Sequence, residues 1–259
     1  MNMLRPIHEV ALIPERAPVF EGIPNPASLW MEIPFLAMAQ GMSGRVSRPR
    51  PHTITEQLNS KYRWLATDRV ASSWGSILDN IAFTPISSTE PLSTLEYTYM
   101  LGLETVHAPV VRTPPGGLAL SSTPDHTSFT LSMVMYVHSG IVLMEGNGIT
   151  LRYRQNMEWV AGGGIASTAL ARPIADCMPL VVTVTGSMTD RRISLTSSSS
   201  PHIFNTMSNV QTHSWIGTDF KLGVDSSLSL LDICYWDEVL PQSTIDANHL
   251  LFFSVHGTS

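Results

Sequence analysis

The run Ser229-Leu230-Leu231-Asp232-Ile233-Cys234-Tyr235-Trp236 narrows the available folds more than any other stretch. It is dense in strand-forming apolar and aromatic residues and long enough to be a central strand. The period then changes. Leu240, Ile245 and Leu250-Leu251 recur at helical spacing. Pro241 suits a first helical position, because its missing N–H would be unpaired there anyway. The expected ending is a buried strand, a turn at Asp237-Glu238 and a helix of about one to three turns, which is uncommon for an all-β domain.

Thr127 to His138 reads as the clearest single strand. Phe129, Leu131, Met133, Met135 and Val137 point one way, and Ser128, Thr130, Ser132, Val134, Tyr136 and His138 point the other. Alternation at period two predicts one face on a core, and its methionines are core residues on this reading. A hairpin comes next: Ile141–Glu145, the turn Gly146-Asn147-Gly148, then Ile149–Arg154. Asn-Gly favours a tight turn because both central residues need positive φ. Further strands are expected at Met157–Ala161, at Leu180–Thr185 paired with Arg192–Thr196, and at His213–Gly217, with Ser197–Ser200 as a polar loop. Earlier, Tyr62–Leu65, Val70–Trp74, Ile81–Phe83 and Thr94–Val106 have β texture. Short strands, frequent turn signals and no helical period before the end predict an all-β, two-sheet antiparallel β-sandwich. No internal repeat argues for an array or propeller.

The order of these segments over roughly 60–251 resembles the concanavalin A-like lectin / laminin-G superfamily, a jelly-roll sandwich. Its members often end in a strand, a Tyr/Trp-Asp-x-x-Leu step and a short helix, matched here by Trp236, Asp237, Leu240 and Ile245. Pro241 departs from the pattern, standing where the family usually places a capping Ser. Trp74, Asp79-Asn80 and Ile81-Ala82-Phe83 are similar to the first strands of bacterial and phage members. Glycosidases on this fold carry an E-x-D-x-E carboxylate arrangement on one strand, and this chain has no such triple.

Residues 1–57 differ in texture from the rest of the chain, giving a domain organisation of a Pro-rich N-terminal arm (1–57) and a sandwich (58–259). Prolines 6, 14, 18, 24, 26, 34, 49 and 51 interrupt every candidate helix or central strand. Between them sit apolar groups including Leu12, Phe20, Trp30 and Phe35, whereas a disordered tail would be polar. An extended, apolar arm suggests docking on another surface; the alternative is an extra edge layer on its own domain. Arg45, Arg48 and Arg50 form a small basic cluster that either meets an acidic partner or stays a solvated loop.

Net charge of −6 excludes a general nucleic-acid binder, which needs a basic face for phosphates. No run approaches the ~20 apolar residues of a membrane span, and the N-terminus has no signal-like apolar region. Cys177 and Cys234 are too few for a disulfide framework.

Little chemistry is legible. Asp237 and Glu238 are adjacent and point to opposite sides, and neither G-x-S-x-G nor H-E-x-x-H occurs. Gly162–Thr168 reads as a flexible loop. The nine histidines lack ligand spacing and read as surface or satisfied core groups. Calcium is a minor expectation at Asp125, Asp176, Asp190, Asp219 or Asp225, in loops of the kind that hold it at a sandwich rim. Trp159 and Trp215 suit either sugar stacking or core packing.

The resemblance and the arm together imply a non-enzymatic virion structural protein of a tailed bacteriophage. A capsid decoration (cement) protein or a tail-associated adhesin would be assembled in the host cytoplasm and would dock through the arm on a major capsid or tail protein as a homo-oligomer. The alternative is a carbohydrate-binding module recognising a surface glycan.

Overall fold

The computed structural model describes residues 54–256, leaving out positions 71, 88–91, 93, 102–103, 122–126, 147, 155, 169–178, 202 and 211–219. The elements begin with a one-turn helix α1 (Thr55–Leu58), β1 (Tyr62–Leu65), a 3-10 turn (Ala66–Asp68), β2 (Trp74–Gly75) and β3 (Ala82–Pro85). Then come β4 (Thr94–Leu101), β5 (Glu104–Arg112), β6 (Leu118–Leu120), β7 (Ser128–Ser139), β8 (Val142–Gly146) and β9 (Ile149–Tyr153). The chain continues through β10 (Met157–Ala161), β11 (Gly164–Thr168), β12 (Leu180–Ser187), β13 (Arg192–Ser200) and β14 (Ile203–Val210). It ends with β15 (Lys221–Leu222), β16 (Ser227–Trp236) and α2 (Gln242–His256).

These strands form two eight-stranded antiparallel sheets. The first has the order β14-β13-β12-β7-β16-β5-β4, with β1 also pairing β16; the second runs β11-β10-β9-β8-β15-β6-β3-β2. The fold is thus the two-sheet sandwich expected from the sequence. β16 is its central strand. It pairs with β7 along most of its length, while β1 takes Asp232–Tyr235 on the other edge and β5 takes Ser229 and Leu230.

The main core lies between the sheets. One inward row of the second sheet runs Leu118, Leu222, Met144, Leu151, Trp159 and Ala166 across six strands, all buried. The opposing sheet supplies Phe129, Leu131, Met133, Val182, Val184, Ile233 and Tyr235. Trp159 spends its polar N–H inside this core, donating from Nε1 to Thr185 O at 3.0 Å, which removes it as a sugar platform.

The expectation of one buried face for β7 is corrected: Phe129 through Tyr136 are all buried. A second apolar cluster explains this. Val134, Tyr136, Val181, Leu231, Cys234 and Trp236 on the outer face of the first sheet pack with Ile245, Phe252, Phe253 and Val255 of α2. The helix is accordingly 15 residues long, about four turns, rather than one to three, because it must span that face. Pro241 stands just before the helix rather than at its first position, and its carbonyl accepts from Thr244 N and Ile245 N.

Three further expectations change. Ser197–Ser200 belongs to β13 rather than to a loop, and Ser197 and Ser198 are buried. Gly162 and Gly163, at φ 52° and 77°, make a tight hairpin turn into β11 instead of a flexible loop. Positive φ at two successive positions costs glycine little. Finally, the sandwich starts before residue 58. Ile54 and Leu58 are buried in the second cluster, and Trp236 Nε1 donates to Leu58 O at 3.0 Å.

Candidate functional site

Two polar arrangements stand out, one sealed and one open. The sealed one lies beneath α2. A bulge in β16 between Leu230 and Asp232 puts Leu231 and Asp232 on the helix side together. Arg63 of β1 meets Asp232 through Nε–Oδ1 at 3.1 Å and Nη2–Oδ2 at 2.6 Å, while Nη1 donates to Thr55 Oγ1 at 2.7 Å. His256, in the last turn of α2, places Nε2 3.0 Å from Asp232 Oδ2. Burial pushes the Asp232 carboxyl up, but its hydrogen bonds and charge contacts with His256 and Arg63 outweigh this and hold it below the usual carboxylate range. Desolvation, followed by the Asp232 charge, pushes the neighbouring Cys234 thiol well above its ordinary value. That thiol is a buried small apolar group rather than a nucleophile.

A second buried chain of polar groups runs Ser132–Thr183–His249–Ser198. The links are Oγ–Oγ1 2.7 Å, Oγ1–Nε2 2.8 Å and Nδ1–Oγ 2.7 Å. Burial lowers His249 to about 3, so the ring is neutral and one of its two hydroxyl partners donates to it while the other accepts. Near the start of the helix, Thr130 Oγ1 donates to Glu238 O and accepts from Leu240 N. Arg63 and Asp232 have no exposed side-chain surface. Both sets of groups are buried and tie the helix to the sheet.

The open arrangement is the outer face of the second sheet, built by alternation opposite the inward row. Register places Arg152 of β9 opposite Glu158 of β10, with Ser167 of β11 next in line. A parallel row runs Lys221, Glu145, Thr150, Val160 and Ile165. Every residue of these rows is half-buried except exposed Ile165. Among the described residues no hydrogen bond or ion pair ties up the side chain of Arg152, Glu158, Glu145 or Lys221. Sequence reasoning missed this face, because no motif marks it and only strand register assembles it.

The residues expected to bind a partner, Leu12, Phe20, Trp30, Phe35, Arg45, Arg48 and Arg50, lie outside the described residues, as do Trp215, Asp125, Asp176, Asp219 and Cys177. Of the calcium candidates, Asp190 instead accepts from Ser187 Oγ at 2.9 Å. Among the described residues no group of three or more His, Cys, Asp or Glu side chains could hold a metal ion. Asp237 and Glu238 are exposed turn residues as expected, Asp237 pairing with Lys61 at 2.6 Å.

No protein-family model and no curated protein matches the chain. Solved structures do. A sialidase from Trypanosoma rangeli, solved in complex with sialic acid, aligns at 13% identity over 76% of this chain with a TM-score of 0.45. The chain spans only 33% of that protein. The metal-free exoplasmic/lumenal domain of VIP36 aligns at 11% identity, covering 61% of this chain and 90% of its own length, with a TM-score of 0.38. A protein of unknown function from Shewanella oneidensis MR-1 aligns at 13% identity over 67% of this chain and 91% of its own, with a TM-score of 0.30. The class defined by the strand order and registers is a two-sheet antiparallel β-sandwich with a C-terminal helix.

Proposed function

We propose that this chain is a non-catalytic, lectin-like carbohydrate-binding sandwich whose ligand lies on the outer face of the second sheet. One observation carries the reading: two cross-strand pairs of opposite charge, Arg152 with Glu158 and Lys221 with Glu145, stand on a solvent-facing sheet beside Thr150 and Ser167. Sugar hydroxyls both donate and accept, and this surface offers long donors, long acceptors and hydroxyls together. Its charges balance, which favours a neutral glycan over an anionic one. Arg63, Asp232 and His256 are buried and paired with one another, which supports a binding role over catalysis.

The test is a glycan array on the full chain, followed by calorimetric titration of the best ligand. Binding is expected to be lost in Arg152→Ala and in Glu158→Ala. A glycan bound equally well by both variants would remove this face from consideration. The alternative of a tailed-phage virion protein rests on the arm of residues 1–57 and on the resemblance of Trp74 and residues 79–83 to phage members.

A further inference from the structure

An edge strand exposes backbone donors and acceptors that template pairing with another chain, and proteins ordinarily blunt such edges with charge, proline or short length. β14 carries none of these. Its eight residues, Ile203-Phe204-Asn205-Thr206-Met207-Ser208-Asn209-Val210, contain no charged side chain and no proline. Among the described residues it pairs on one side only, with β13. Thr206 through Val210 are exposed without interruption, Met207 at 51% and Val210 at 61%. Beside it, Asn209 Nδ2 donates to Ile165 O of β11 at 2.6 Å, bringing Ile165, itself 53% exposed, to the same flank. Three large apolar groups therefore border this edge, where among the described residues the Val210 N–H is met by Asn209 Oδ1 at 2.7 Å.

We infer that β14 is a self-pairing edge, to which a second copy of this chain adds its own β14 antiparallel across a two-fold axis, joining the two first sheets into one. A strand laid antiparallel on itself satisfies the same hydrogen-bond pattern from both sides, so no second sequence is needed. Charge selects the same occupant. The chain carries −6 overall, so two copies repel over most of their surfaces. The 203–210 edge is neutral and lets them meet without like-charge contact. Met207 and Val210 of each copy then lose exposed apolar surface. This inference does not depend on the glycan reading.

Light scattering on the full chain in solution tests it. The expected mass is twice the 28.4 kDa of one chain, falling to that of one chain in Met207→Lys and in Ser208→Lys, with the far-UV circular dichroism of the folded sandwich retained. A single-chain mass for the wild type at about 100 μM, weaker than a Kd of that order, overturns the inference. So does a dimer that survives both lysines, which would place the contact elsewhere. Amide exchange gives a readout without substitution: residues 204–210 should exchange more slowly in concentrated than in dilute samples. Concentration-independent exchange there also overturns it.

Discussion

Arg63 and Asp232 are 169 residues apart in the chain, yet their side chains meet in two hydrogen bonds, Nε–Oδ1 at 3.1 Å and Nη2–Oδ2 at 2.6 Å, with no exposed surface on either. This pair joins three parts of the fold. Arg63 also reaches Thr55 at the entry to the sandwich, and Asp232 also reaches His256 in the last turn of the C-terminal helix. The first and last described elements are thus tied to the central strand through one carboxylate. A buried ion pair contributes little net stability against an apolar replacement, but its half-removal is costly.

Asp232→Asn should destabilise the protein by about 3–5 kcal/mol, because it leaves the Arg63 guanidinium buried without a counter-charge. Urea unfolding monitored by tryptophan fluorescence checks this. Arg63→Met combined with Asp232→Leu should recover most of the loss, and a double variant as unstable as the single one would contradict the account.

His249 makes stability depend on pH. Its native value of about 3 lies below the ordinary 6.5, so between those limits the unfolded chain binds a proton that the native state refuses. The neutral ring's contribution is complete above about 6.5 and declines as pH falls, by up to about 1.4 kcal/mol per pH unit. Asp232, also lowered, acts in the same direction below its ordinary 3.8. Unfolding free energies from pH 7 to 4 should show this slope, and His249→Gln should flatten it.

Gly117 should not tolerate a side chain. At φ +81°, a Cβ there would lie 2.5 Å from Leu222 O and 2.9 Å from Val224 N, both backbone atoms. Gly117→Ala is expected to cost roughly 2 kcal/mol or more, through left-handed strain and the forced shift of the β15 loop. Gly75→Ala meets nothing within 4 Å and serves as the control in thermal unfolding.

Leu58→Ala should cost about 2–5 kcal/mol, the range for truncating a buried leucine. Leu58 packs in the cluster with Trp236 and α2. Calorimetry showing a change below about 0.5 kcal/mol would mean that α1 is not part of the sandwich.

Arg152→Ala and Glu158→Ala should each leave stability within about 0.5 kcal/mol of wild type, since cross-strand surface pairs contribute little. Loss of glycan binding in variants that unfold normally then separates recognition from folding.

Most strands were legible because their signals are local. Alternation marks β7, and Gly146-Asn147-Gly148 marks the turn between β8 and β9. The 180–187 and 192–200 segments pair with each other as their order suggested. What misled was local chemistry whose partner was distant. Ser197–Ser200 looks like a loop because serine is usually solvated, but Ser198 meets His249 and Ser197 meets Thr168 at 2.8 Å. Val134 and Tyr136 look like an outer face because nothing nearby in sequence shows that a helix returns to cover them.

By itself, the sequence determined the all-β class, the central strand at 229–236 and the helix behind Pro241, since period and turn chemistry act over a few neighbouring residues. Tertiary structure alone decided which hydroxyls and charges are buried. It also decided that Arg63 and His256 share one carboxylate, and that Arg152, Glu158, Lys221 and Glu145 stand on one face. Those outcomes depend on strand register and on the bulge of β16 between Leu230 and Asp232, and pairing between segments far apart in the chain leaves no periodic trace along it.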